Sequence, residues 1–226
     1  MTKDIGIVFL PNSECRNIAL KVSEATNKAL SGFKQLQNNP HITAIHIANL
    51  NEEAQANLKQ IANNFFPQHK DSYIELPVAG IKATGGNMNE GFKWLDLQFK
   101  TLEPLKELRT KILEEFCPLH NGIVTRMNDD PNNFIEGSLT KQDIDKCGVT
   151  FSSYIPHITA WYIDLPNDPK TTILNDVAQN LSIDIGTCYA ENIALVELGR
   201  NGNAMEIIAT YPLGTVRITP EYTEEL

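Results

Sequence analysis

The string Pro-His-Ile-Thr-Ala occurs twice without change, at residues 40–44 and 156–160. No other feature of the 226 residues constrains the fold as tightly, because the surroundings repeat with it. Each copy lies in a β-branched, apolar run that reads as a strand, at 41–47 and 157–163. Each strand leads into a helical pattern, at 51–66 and 168–181, and then into two further strands. The chain therefore reads as an internal duplication, with 116 positions between His41 and His157.

The flanking elements follow from local pattern. Residues 5–10 form an apolar run stopped by Pro11-Asn12 and read as a buried strand. Ser13 is the expected cap of the next helix, with Ile18, Val22, Ala25 and Ala29 on its buried face. Asn51 caps a second helix, with Glu52 and Glu53 in its first turn and Ala54, Leu58, Ile61 and Phe65 inward. Residues 73–78 and 92–99 read as strands around a Gly/Asn-rich loop at 85–91. A long helix from about Leu102 turns Leu105, Leu108, Ile112 and Phe116 to the core. In the second half, Asp168-Pro169 reads as a cap followed by proline at the first helical position. Ile173, Val177 and Leu181 continue that helix, and Asn201-Gly202 between two apolar runs signals a hairpin. Residues 117–153 lose the periodicity and read as a loop-rich insertion with one short helix at 141–146.

Composition narrows the partners. Nineteen Lys and Arg against 28 Asp and Glu give a net charge of −9, which disfavours wrapping by long nucleic acid. A small anion in a locally positive cleft remains compatible with it. The four cysteines, Cys15, Cys117, Cys147 and Cys188, are widely spaced and make no C-x-x-C, so reduced thiols in a cytoplasmic protein are expected. No apolar run is long enough for a membrane span or a signal-peptide core.

The repeat carries the chemistry. Alternate strand residues share a face, about 7 Å apart. His41 with Thr43, and His157 with Thr159, thus face one way, while Ile42, Ala44, Ile158 and Ala160 face the core. Two imidazoles suit acid–base work near neutral pH, and two hydroxyls can donate to an oxyanion. An anion flanked by an acid and a base is the requirement of phosphodiester cleavage. His46 falls on the face opposite His41 and reads as packed or exposed; His69 reads as a solvated loop residue, and His120 as a chance placement in the insertion. Trp161, two residues after Thr159, reads as a site-facing aromatic able to stack on a base or as a core aromatic. Tyr154, Arg126 and Arg200 are further candidate substrate contacts.

The repeated motif resembles that of the two-histidine (2H) phosphoesterases, which include bacterial 2′-5′ RNA ligases and cyclic phosphodiesterases. The family pattern, His-hydrophobic-Thr/Ser-hydrophobic, reads here as His41-Ile42-Thr43-Ala44 and His157-Ile158-Thr159-Ala160. Residues 78–81 followed by 93–97 resemble the family's central hairpin, and residues 117–153 are longer than its usual connection. The resemblance implies an α/β (α+β) fold throughout residues 1–226: two pseudo-symmetric lobes of antiparallel-rich sheet, with helices outside, around a central cleft. It implies metal-independent chemistry, without a cofactor, on 2′,3′-cyclic phosphates or 2′-5′ bonds of RNA ends or small nucleotides, with reverse ligation as a further activity. His41 and His157 would be the acid and base, in either order, and Thr43 and Thr159 would hold phosphate oxygens. The expected partner is a small nucleotide or short RNA terminus, met by a monomer. A binding module without turnover, on the same fold, is the alternative.

Overall fold

The computed structural model describes residues 2–31, 39–119, 154–163, 168–182, 186–199 and 202–215. Arg126, Arg200, His120, Cys147 and nearly all of the expected insertion lie outside the described residues. Eight strands among the described residues form two antiparallel sheets: β1 (Lys3–Pro11), β2 (Ile42–Leu50), β3 (Ile74–Glu75), β4 (Val78–Thr84), β5 (Trp94–Phe99), β6 (His157–Tyr162), β7 (Tyr189–Leu198) and β8 (Ala204–Pro212). The larger sheet runs β2-β1-β7-β3, with β8 also on β7, and the smaller runs β4-β5-β6. Among the described residues four α-helices, α1 (Ser13–Ala29), α2 (Glu52–Phe65), α3 (Glu103–Phe116) and α4 (Ile173–Asn180), pack against them.

Each motif strand leads into a helix and then into strands, three (β3, β4, β5) after α2 and two (β7, β8) after α4, and the halves exchange strands. The first motif strand, β2, joins a sheet that holds the β7–β8 hairpin of the second half. The second motif strand, β6, pairs instead with the β4–β5 hairpin of the first half. Both motif strands end up at sheet edges. The core between the layers is apolar and continuous: Ile5, Ile7 and Phe9 of β1, Ile42 and Ile45 of β2, Leu95 and Leu97 of β5 and Ile158 of β6 are all buried. Phe66 and Phe116 stack at 5.4 Å beneath it.

Local chemistry explains the element ends. Asn12, rather than Ser13, caps α1, its Oδ1 accepting from Cys15 N at 3.3 Å. The α1 stripe continues through Thr26 and Leu30, while Ala29 faces solvent. Asn51 caps α2 as expected, accepting from Ala54 N at 2.8 Å. Within the run 73–78 only Ile74 and Glu75 join the larger sheet, and Val78 already opens β4 of the smaller one. Asp168 and Pro169 open a short 3₁₀ turn, Pro169–Thr172, ahead of α4. His69 sits in another such turn, half-buried with its ring 4.9 Å from Phe65, and burial lowers its pKa. Cys117 is disulfide-bonded, against the expectation of reduced thiols, whereas Cys15 and Cys188 are free and buried. No helix among the described residues is long and apolar enough to cross a membrane.

Gly91 fastens the β4–β5 loop to the turn that follows the second motif. Its φ is +90°, and an added Cβ would lie 2.0 Å from Asp168 O and 2.2 Å from Thr171 Oγ1. Gly91→Ala should therefore lower stability by about 2–4 kcal/mol through strain and overpacking. Urea unfolding should show this as a lower midpoint with an unchanged slope.

Candidate active site

Both motif strands carry one extra residue, at the same place in the repeat. In β2, Thr43 pairs with Val8 and Ile45 with Ile7, so Ala44 is the bulged residue. In β6, Thr159 pairs with Asp96 and Trp161 with Leu95, so Ala160 is. A bulge of this kind shifts the phase of alternation by one residue. Before it, His and Thr share the face away from the core; after it, the next residue but one turns inward. Ile45 and Trp161 are accordingly buried, each with 1% exposure or less.

The bulge decides between the two readings of Trp161, in favour of the core, and corrects the expected face of His46. Trp161 does not face the site: it lies in the core and donates through Nε1 to Asn27 Oδ1 at 2.9 Å. His46 does not lie opposite the motif face. It pairs with Gly6, on the same side as Val8 and Thr43, and its Nε2 stands 3.5 Å from Thr43 Oγ1.

The two histidines are held alike. His41 Nδ1 donates to Asn39 O at 2.7 Å, and His157 Nδ1 donates to Ile155 O at 2.9 Å. A carbonyl can only accept, so each bond fixes the proton on Nδ1 and makes Nε2 the atom that takes up or gives a proton. The proline between acceptor and ring, Pro40 or Pro156, keeps the preceding residue extended, which suits this two-residue reach. His41 is buried, and His157 is half-buried.

The threonines differ. Thr159 donates to Asp96 Oδ1 at 2.9 Å, and Thr84 donates to Asp96 Oδ2 at 2.6 Å. Asp96 is buried, with its carboxylate between these hydroxyls. The equivalent neighbour of Thr43 is Val8. The two halves thus present similar imidazoles but unlike surroundings. Register places Lys82, Asp96 and Thr159 in one row of the smaller sheet, and Gln98 opposite His157 in the next. Lys82 is exposed, and it adds a cation to a face that otherwise holds Asp96. Strict alternation in Trp94-Leu95-Asp96-Leu97-Gln98 was the signal that could have found Asp96 and Gln98.

Tyr154 joins the motifs to each other. Its hydroxyl donates to Thr43 O at 2.9 Å, and burial raises its pKa, so that it remains a donor. The guanidinium of Arg109, in α3, lies 4.1 Å over the Tyr154 ring, and its Nε donates to Ala44 O at 3.1 Å. The segment that leads into β6 is therefore tied directly to β2. In this structure the hydroxyl of Tyr154 is engaged by backbone rather than offered to a substrate.

The fold has solved counterparts. It matches the Thermus thermophilus protein TT0787 with a TM-score of 0.59 at 13% identity, covering 93% of this chain and 97% of that one. It also matches Escherichia coli LigT complexed with 3′-AMP, with a TM-score of 0.51 at 11% identity, covering 94% and 98%. LigT complexed with ATP gives a TM-score of 0.51 at 10% identity, covering 94% and 99%. No family model and no curated protein matches the sequence. The chain therefore has the LigT-like fold.

Two substitutions test this geometry. Trp161→Ala should cost about 3–5 kcal/mol of stability, the range for an emptied core aromatic, whereas a site-facing ring would leave the unfolding midpoint unchanged. Asp96→Ala should cost about 2 kcal/mol, because the hydroxyls of Thr84 and Thr159 lose their shared acceptor. Urea titration of each variant checks both values.

Proposed function

We propose that this protein is a phosphodiesterase of the two-histidine type, acting on 2′,3′-cyclic phosphates or 2′-5′ phosphodiester bonds of small nucleotides or RNA ends. The observation that carries the proposal is the matched tethering of His41 and His157 by their Nδ1 atoms. Matched tethers give both repeats an Nε2 able to exchange a proton, which a purely structural strand does not require. The hydroxyl-bearing Thr43 and Thr159 stand on the same faces as their histidines, within one strand period. The LigT-like fold, in structures that carry 3′-AMP and ATP, supports a ligand of nucleotide size.

The reaction follows from two imidazoles in different protonation states. The neutral one removes a proton from water through Nε2 as the water oxygen bonds to phosphorus. The P–O bond to the ribose oxygen breaks in line, and the cationic imidazole gives its Nε2 proton to that oxygen. The product is a phosphomonoester with a free ribose hydroxyl. The two histidines have then exchanged protonation states, and solvent restores them. With a 5′-hydroxyl in place of water, the same steps form a 2′-5′ bond. Thr43 and Thr159 stabilise the charge on the non-bridging oxygens as the phosphorus becomes five-coordinate. For Thr159 this requires its hydroxyl to turn from Asp96 toward the phosphate.

His41→Ala and His157→Ala should each lower kcat for 2′,3′-cyclic nucleotide hydrolysis by about a thousandfold, in the range for loss of an acid or base. Circular dichroism should show both variants folded. In the wild type, kcat/KM should rise and then fall with pH, because one imidazole must be neutral and the other charged. Activity retained in both variants would refute the proposal.

A further inference from the structure

Among the described residues strand β2 lies at the edge of its sheet, with no neighbouring strand on one side of its backbone. At an ordinary edge such carbonyls meet water. Here two consecutive ones, Thr43 O and Ala44 O, accept from side chains: the Tyr154 hydroxyl at 2.9 Å and Arg109 Nε at 3.1 Å. They are the carbonyls of the motif threonine and of the bulged residue after it. The donors come from elsewhere. Tyr154 stands three residues before His157, on the segment that leads into β6, and Arg109 belongs to α3. The Arg109 guanidinium closes the assembly by lying 4.1 Å over the Tyr154 ring.

The arrangement is costly, which argues that it does more than fill space. Arg109 is buried, with 8% exposure, and no carboxylate pairs with it among the described residues. Its Nη2 is buried without a hydrogen-bond partner. A buried cation compensated only by a carbonyl and a ring face contributes less stability than an apolar side chain of similar volume would. Its planar fork nevertheless does what an apolar residue cannot: it holds a carbonyl and an aromatic face at fixed angles to each other.

We infer that Arg109 and Tyr154 form a strut that sets the spacing and aim of the two His-x-Thr segments, which makes both of them positioning residues. The inference rests on the phosphodiesterase reading above. Neither residue touches the reacting atoms. Tyr154 transmits the position of the His157 segment to the Thr43 carbonyl, and Arg109 locks that contact from behind. An acid and a base on separate sheets act together only when both meet one phosphate, and misplacement by about 1 Å can cost a hundredfold in rate.

The test uses the full chain with 2′,3′-cyclic AMP as substrate. Tyr154→Phe removes only the hydroxyl, and Arg109→Lys keeps the charge but loses the planar fork. Each should lower kcat tenfold or more while KM stays within twofold, at a temperature where circular dichroism shows the variant fully folded. A purely stabilising role would lower the unfolding midpoint and leave kcat of the folded protein unchanged, and that result would overturn the inference. The double variant should be no slower than the slower single variant, since both remove one strut; multiplicative losses would overturn it too. If the wild type turns over neither cyclic nor 2′-5′ substrates, the phosphodiesterase reading fails. The strut is then read by ¹⁵N NMR of the histidine rings: in Tyr154→Phe, both His41 and His157 signals should move if it exists, and unmoved signals refute it.

Discussion

One extra residue in each motif strand divides core from site. Without the bulges at Ala44 and Ala160, period-two alternation would carry Ile45 and Trp161 out of the core and onto the face of the histidines. With them, each strand keeps its His-x-Thr pair on one side and turns Ile45 or Trp161 inward. The placement of His46 beside Thr43 and the two carbonyls offered to Tyr154 and Arg109 follow from that change of phase. Alanine suits the bulged position because its small side chain is accommodated in either direction.

The asymmetry between the halves is equally physical. The motif strings are identical, so any difference in behaviour must come from their neighbours. Thr43 is flanked by an apolar valine and a histidine, and Thr159 by a carboxylate that already accepts its proton. Arg109 supports the first motif from behind, and Asp96 supports the second. The repeated string sits in two copies, and the surrounding strands make them chemically distinct.

Much of this was legible in the sequence, for reasons that particular residues make clear. The repeat located both motif strands, because β-branched residues around a shared His-x-Thr leave few other structures. Periodicity placed Leu105, Leu108, Ile112 and Phe116 on the buried stripe of α3, and Asn51 at the cap of α2. The bulges were not legible. Ala44 and Ala160 carry no glycine or proline signal, and a one-residue slip puts His46 and Trp161 on the wrong faces. The exchange of hairpins between the halves was hidden as well, since a repeat records order along the chain and not which strands pair. Arg109 looks like one more charge on an amphipathic helix until the edge of β2 is seen beside it.

The central claim is that both imidazoles serve one phosphate. A crystal grown with a nucleoside 2′-monophosphate tests it most directly. A single phosphate group should lie within hydrogen-bond distance of Nε2 of both His41 and His157, with Thr43 Oγ1 on a non-bridging oxygen. A phosphate that contacts only one of the rings, or that binds away from both strands, would contradict it.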